Sequence, residues 1–285
     1  MKHQNTKLAQ LKYFFIFSIF CLSGCKHGIE DNLLKAVANN DIRSINFAIA
    51  NNKNLSVCDK DSSSLLIMAA SMGHKQILKL LIKSGMDVNQ TNSMDESALS
   101  LASFNGHKKC VSILLENAAN VNNINKDKVS PLMYASAKGY TDIVEQLISY
   151  KAKVELISCE NLTALAYAIV HERNEVAKKL IENGANINFN LMDDDNLFMV
   201  IAGKGNIDLA KIFIENGVDV NKGNSYYETP LMVACRNRQP DMVKLLIANN
   251  ADINAINTDG DKAIDHAQRT RDEAVISLLK SIGEK

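Results

Sequence analysis

Apolar positions along the chain fall into a recurring two-part pattern. A short run of small and apolar residues is followed, after a polar break, by a wider apolar face at helical spacing. Ile77, Leu78, Leu80, Leu81 and Ile82 make such a face, and so do Met242, Val243, Leu245, Leu246 and Ile247. The shorter runs align without gaps: "SLLIMAASMGH" (64–74), "SALSLASFNGH" (97–107), "SPLMYASAKGY" (130–140), "TALAYAIVHER" (from Thr163), "NLFMVIAGKGN" (from Asn196), "TPLMVACRNRQ" (from Thr229) and "KAIDHAQRTRD" (from Lys262). Each starts 33 residues after the last, and the phase extends back to "DNLLKAVANND" at Asp31. Such a period identifies stacked structural repeats. It predicts eight helix-turn-helix units, starting near residues 28, 61, 94, 127, 160, 193, 226 and 259.

Within a unit, a Ser or Thr, followed by Pro in two cases, opens the first helix by capping free N–H groups. Small residues such as Ala69 and Ala70, or Ala135 and Ser136, allow close helix approach, and Gly73, Gly106, Gly139 and Gly205 end the helix. Polar turns such as "GMDVNQTN", "GANINFN" and "GVDVNKGN" close the unit. These elements resemble the ankyrin repeat, whose signature runs Thr-Pro-Leu-His-x-Ala-Ala-x-x-Gly-His and ends Gly-Ala-Asp-Val-Asn. The resemblance covers residues 28–285. It implies an all-α ankyrin-repeat solenoid with short turn or β-hairpin tips, and a protein as its partner. Asn40, Glu172, Arg238 and Arg271 depart from the pattern at the loop glycine, and no unit keeps the histidine after Leu. Arg43, Ser44 and Asn46 in the first unit and Lys280 in the last mark polar end caps, as a stacked array requires. One domain is therefore expected.

The first residues follow another grammar. Lys2, Lys7 and Lys12 precede an apolar run from Tyr13 to Leu22. That run is about half the ~20 residues a membrane-spanning helix needs, and it has the order of a secretory signal peptide. Leu22-Ser23-Gly24-Cys25 resembles the lipobox of bacterial lipoproteins. The resemblance implies residues 1–24 as a lipoprotein signal peptide, cleavage before Cys25, lipid on the Cys25 thiol and residues 25–27 as the lipidated N-terminus. Lys26, rather than Asp, implies the outer membrane, facing the periplasm, over the inner one. Only seven steps separate Cys25 from Asn32, at most about 25 Å extended, so the first repeats are expected against the bilayer.

Charge removes one function class. Lys+Arg and Asp+Glu both number 32, and loss of Lys2, Lys7 and Lys12 with the leader leaves a mature net charge of about −3. A nucleic-acid binder needs a basic stripe to displace counterions. No catalytic residues, metal ligands or cofactors are expected. His74 and His107 recur at one repeat position, read as structural, and no metal-ligand spacing occurs among the histidines. Cys110 and Cys235 fall on apolar or small-residue positions, while Cys58 and Cys159 lie at turn tips too far apart for a disulfide. "MDDDN" (192–196) reads as a turn and helix cap.

The ankyrin resemblance places a partner on a concave surface made by turn tips and first helices. Read through the units, that surface takes in Met72, Met94, Glu96, Phe104, Val129, Leu162, Val170, Tyr226, Glu228 and Arg236, with Lys60, Asp61, Lys126, His171, Met192 and Asp195 beside them. Met72, Met94 and Phe104 suggest one apolar patch; Tyr226 and Tyr227 with Glu228 and Arg236 suggest a second. The expected protein is a monomeric, non-enzymatic scaffold in the bacterial cell envelope, for example an inhibitor or immunity protein for a toxic enzyme such as a phospholipase. An exported effector acting on host proteins is the alternative.

Overall fold

The computed structural model describes residues 30–191 and 194–283. Residues 1–24, expected to be a signal peptide, Cys25, the expected lipidation site, and Met192 lie outside them. Sixteen helices form two rows. The inner row is α1 (Glu30–Ala38), α3 (Leu65–Ser71), α5 (Ala98–Phe104), α7 (Pro131–Lys138), α9 (Ala164–Val170), α11 (Leu197–Lys204), α13 (Pro230–Arg236) and α15 (Ala263–Thr270). The outer row is α2 (Ile42–Ala50), α4 (Lys75–Lys83), α6 (Lys108–Glu116), α8 (Thr141–Ser149), α10 (Asn174–Glu182), α12 (Ile207–Glu215), α14 (Pro240–Ala248) and α16 (Glu273–Gly283). The fold is the expected all-helical solenoid of about eight repeats.

Helices of seven to eleven residues are too short to persist alone in water, so packing must hold them. Inner helices start at side-chain caps: Ser64, Ser97, Ser130, Thr163, Asn196 and Thr229 each accept a hydrogen bond from the backbone N–H three residues on. Ala69, Ala102, Ala135 and Ala168 are fully buried where inner helices meet. Because these contacts are small and those of the outer row are Leu and Ile, inner helices approach more closely than outer ones. Phe198 on α11 and Phe213 on α12 fill the core between these two helices, their rings stacked 6.2 Å apart.

Between inner and outer helix the chain turns through a left-handed residue. Gly73, Gly106, Gly139 and Gly205 take φ of 70–84°. Asn40, Glu172, Arg238 and Arg271 adopt the same conformation, with φ of 53–59°, so the loop geometry survives loss of the glycine. At Gly73 and Gly106 there is a second reason for glycine. A Cβ there would lie 2.7 Å from the His107 and Tyr140 rings of the next unit. Nε2 of His107 also lies 2.9 Å from the Ser71 carbonyl oxygen, so this histidine is structural.

Asparagines tie the layers together. Oδ1 of Asn89, Asn122 and Asn221 accepts from the backbone N–H of Asn120, Lys153 and Asp252 at 2.7–2.8 Å. The abundance of Asn in the turns is thus an inter-unit ladder. In place of β-hairpins, the tips show three isolated antiparallel bridges among the described residues, such as Thr91 with Ser97. Cys58, Cys110, Cys159 and Cys235 are all unpaired. No described helix is long and apolar enough to cross a membrane.

Candidate functional site: the inner face and the turn tips

Five of the tips are each organised by one side chain; Ser158 and Leu191 stand at the same position in two others. Oδ1 of Asp59, Asn92, Asn125, Asn224 and Asn257 accepts from the backbone N–H two and four residues on, at 2.8–3.0 Å. The residue before the last of each such turn is left-handed, with φ of 62° at Asp95, 57° at Lys128 and 55° at Tyr227, and also 55° at Asn161 and 64° at Asp194 in the two tips that begin with Ser158 and Leu191. Neighbouring tips are then joined by backbone bonds, Ser93 N–H to Asp61 O, Lys126 to Met94, Cys159 to Asp127 and Thr258 to Tyr226, at 2.9–3.1 Å. A row of tips held this way presents its side chains at fixed spacing. These Asx residues were missed as site-builders in the sequence, although their 33-residue recurrence was visible.

The structure corrects part of the expected surface. Glu96, Val129 and Leu162 are buried, at 4%, 2% and 6% exposure, and offer nothing to a partner. All three occupy the position just before the helix cap, where the side chain turns under the tip towards the next inner helix. Glu96 shows why: its Oε1 accepts from the Tyr134 hydroxyl of α7 at 2.8 Å, and Asn125 donates to the same hydroxyl at 2.9 Å. Asp195 and Glu228, at the same position, are half-buried.

Phe104 is also partly withdrawn. Its ring meets Tyr134 edge-on at 5.1 Å, and the Lys138 ammonium sits 4.3 Å above it, so it anchors a polar-aromatic cluster between two units. Val170 and His171 end α9 half-buried. Burial holds the His171 pKa down, reinforced by Arg173, Lys138 and Lys204. What stays in solvent is Met72 (39%), Met94 (43%), Tyr226 (56%) and Tyr227 (69%), with Lys60, Asp61 and Lys126 exposed among them. Met94 and Tyr226 occupy the same tip position four units apart.

At the C-terminal end, arginines stand over sunken carboxylates. Arg236 pairs with Glu228, and one unit on Arg269 pairs with Asp261 through both guanidinium nitrogens. Burial raises the Glu228 pKa despite Arg236, whereas the Arg269 hydrogen bond lowers that of Asp261. Both carboxylates orient their arginine, leaving Arg236 exposed beside the tyrosines. No group of three or more His, Cys, Asp or Glu among the described residues is placed to hold a metal. Burial raises the Cys110 and Cys235 thiols to about 11 and about 12, so neither is a thiolate nucleophile at neutral pH.

Comparison with known proteins agrees with this geometry. A family model described as "Ankyrin repeats (3 copies)" matches residues 33–125, 117–191 and 197–285. Among solved structures, the crystal structure of the human ASB11 ankyrin repeat domain superposes with a TM-score of 0.69 at 28% identity, covering 76% of this chain and 98% of that one. No curated protein matches the chain. Repeats of this kind are protein-interaction scaffolds. With its left-handed loops, stapled tips and paired helices in every layer, the chain belongs to the ankyrin-repeat family.

Proposed function

We propose that this is a non-enzymatic protein-binding scaffold, lipid-anchored through Cys25 in the bacterial cell envelope, which captures its partner on the turn tips and the inner-helix face. One observation carries the binding reading: Met94, Tyr226 and Tyr227 stand largely exposed on tips whose backbones are fixed by Asx turns and by cross-tip hydrogen bonds. Tyr, Arg and Met are the side chains that supply binding energy at protein contacts, and a fixed backbone reduces the ordering cost of association. The anchor is supported by the order of basic residues, apolar run and Leu22-Ser23-Gly24-Cys25 in the sequence. A membrane-held inhibitor of a toxic enzyme is the finer form of this reading, and only analogy with other ankyrin proteins supports it.

The test is a photo-crosslinker introduced at Lys126 of the full-length protein in its own cells. It should trap one protein, and Met94→Asp with Tyr227→Asp should abolish the adduct while the circular dichroism spectrum stays the same. An adduct unchanged by the double substitution would remove the tips from the binding site. Fatty-acid labelling that survives Cys25→Ala would remove the anchor.

A further inference from the structure

The outer row of helices changes sign along the stack. In the first three units it carries Arg43 on α2, Lys75, Lys79 and Lys83 on α4, and Lys108 and Lys109 on α6, against the single acid Glu116. From α8 to α14 it carries Asp142, Glu145, Glu175, Glu182, Asp208, Glu215 and Asp241 against four lysines. One repeat position shows the change residue by residue. The second residue of the outer helix is Arg43, Gln76 and Lys109, then Asp142, Glu175, Asp208 and Asp241.

In the later units an acid meets the positive end of the helix dipole, the favourable arrangement. In α4 and α6 lysines face that same end; His74 and His107 give no side-chain cap there, as is also true at the starts of α8, α10 and α14, whereas Asp41 caps α2. Only Lys108 of this group has a carboxylate in ion-pair range among the described residues, Asp142 at 2.6 Å. Lys75, Lys79, Lys83, Lys109 and Arg43 are exposed. Two adjoining clefts, of about 460 and 430 Å³, lie between α4 and α6 and share Lys75, Gln76 and Lys109. On α2, beside them, Phe47 is 67% exposed. The next unit has Leu80 there, half-buried between neighbours.

We infer that the outer faces of α2, α4 and α6 dock onto the anionic phospholipid headgroups of a bilayer. The lysines and Arg43 receive lipid phosphates, and Phe47 enters the headgroup layer. Exposed basic side chains around one protruding aromatic ring match the interface of a charged bilayer, where each cation adds attraction and the ring adds apolar burial. The face lies at the N-terminal end of the stack and leaves the inner face and tips open to a protein partner. It rests on the lipid-anchor reading only for being delivered to the membrane.

Flotation of the full-length Cys25→Ser protein with vesicles tests the surface without the lipid. Binding should be tighter to phosphatidylcholine vesicles containing phosphatidylglycerol than to phosphatidylcholine alone, and the preference should shrink with salt. K75Q/K79Q/K109Q should lower that preference on the order of 100-fold, about fivefold per lysine. K178Q/K211Q/K244Q, on the later outer helices, should leave it unchanged. Phe47→Ala should weaken binding to both vesicles and keep the preference. No preference for the anionic vesicles, or equal losses in the two triple variants, would overturn the proposal, as would capture of an acidic protein by this face without vesicle binding. Fatty-acid labelling that survives Cys25→Ala, with the vesicle preference intact, would instead remove the anchor and keep the surface.

Discussion

Tyr227 holds φ of 55° at a position occupied in other units by Ser62, Asp95, Lys128, Asn161, Asp194 and Gly260. Asn, Asp and Gly tolerate this conformation; an aromatic side chain pays for it through crowding of its Cβ against the backbone. Its ring is also 69% exposed, so folding recovers little of that strain by burial. Tyr227→Asn, which restores the residue seen at 161, should therefore stabilise the protein by about 0.5–1 kcal/mol, read as a higher urea midpoint at unchanged slope. The same change should weaken partner capture, since binding would be the reason to keep a strained tyrosine. A lower midpoint would show that the ring contributes to the fold. Strain at single residues was illegible beforehand: the sequence shows a tyrosine in a turn, and the left-handed angle goes with the tip's backbone bonds, Tyr227 N–H to Asn224 O and Asn224 N–H to Glu228 O.

At the level of elements, the inner helices depend on what they lack. Ala135 on α7 is fully buried between neighbouring units, and adjacent inner helices meet along such positions. Ala135→Leu should force the layers apart and cost about 1–3 kcal/mol, measured by urea unfolding. An outer-row increase such as Ala248→Leu, at an exposed site on α14, should stay within about 0.5 kcal/mol. Equal costs would contradict the close-packed inner row. The reading of small residues as helix-contact positions needed only their recurrence at 33 residues. Side-chain direction just before the cap needed more. Glu96, Val129 and Leu162 form a mixed polar and apolar set that looks exposed in sequence, and their burial depends on the tip folding over the next helix.

For the whole molecule, one buried and two half-buried histidines set a dependence on pH. His74, His171 and His266 all have pKa values lowered chiefly by burial, and Nε2 of His74 and of His266 is buried with no hydrogen-bond partner. As pH falls below the ordinary histidine value of about 6.5, the unfolded chain takes up protons that the folded chain refuses. Stability should therefore be full above that value and decline as pH drops towards the lowered folded values. A thermal melt should show a lower midpoint at pH 5 than at pH 7, and His266→Gln should flatten the difference. A midpoint that rises on acidification would contradict the assignment of neutral imidazoles. Because each unit touches only its neighbours, this loss should begin in the layers that hold these histidines rather than across the whole array.

What the sequence determined was everything that repeats. The 33-residue period, the capped inner helices, the small-residue contacts and the all-helical solenoid follow from local rules applied eight times, and each copy corroborates the others. The N-terminal motif that suggests a lipid anchor is likewise local. Tertiary structure alone decided which side chains reach solvent and which charges share a face. Burial of Glu96 depends on Tyr134, 38 residues away, and the cover over Phe104 comes from Lys138 in the next unit. The chain is neutral in sum, yet Arg43, Lys75, Lys79, Lys83, Lys108 and Lys109 gather on three neighbouring outer helices, because stacking sets residues 33 apart side by side. Composition averages over such neighbours, whereas recognition is made by them.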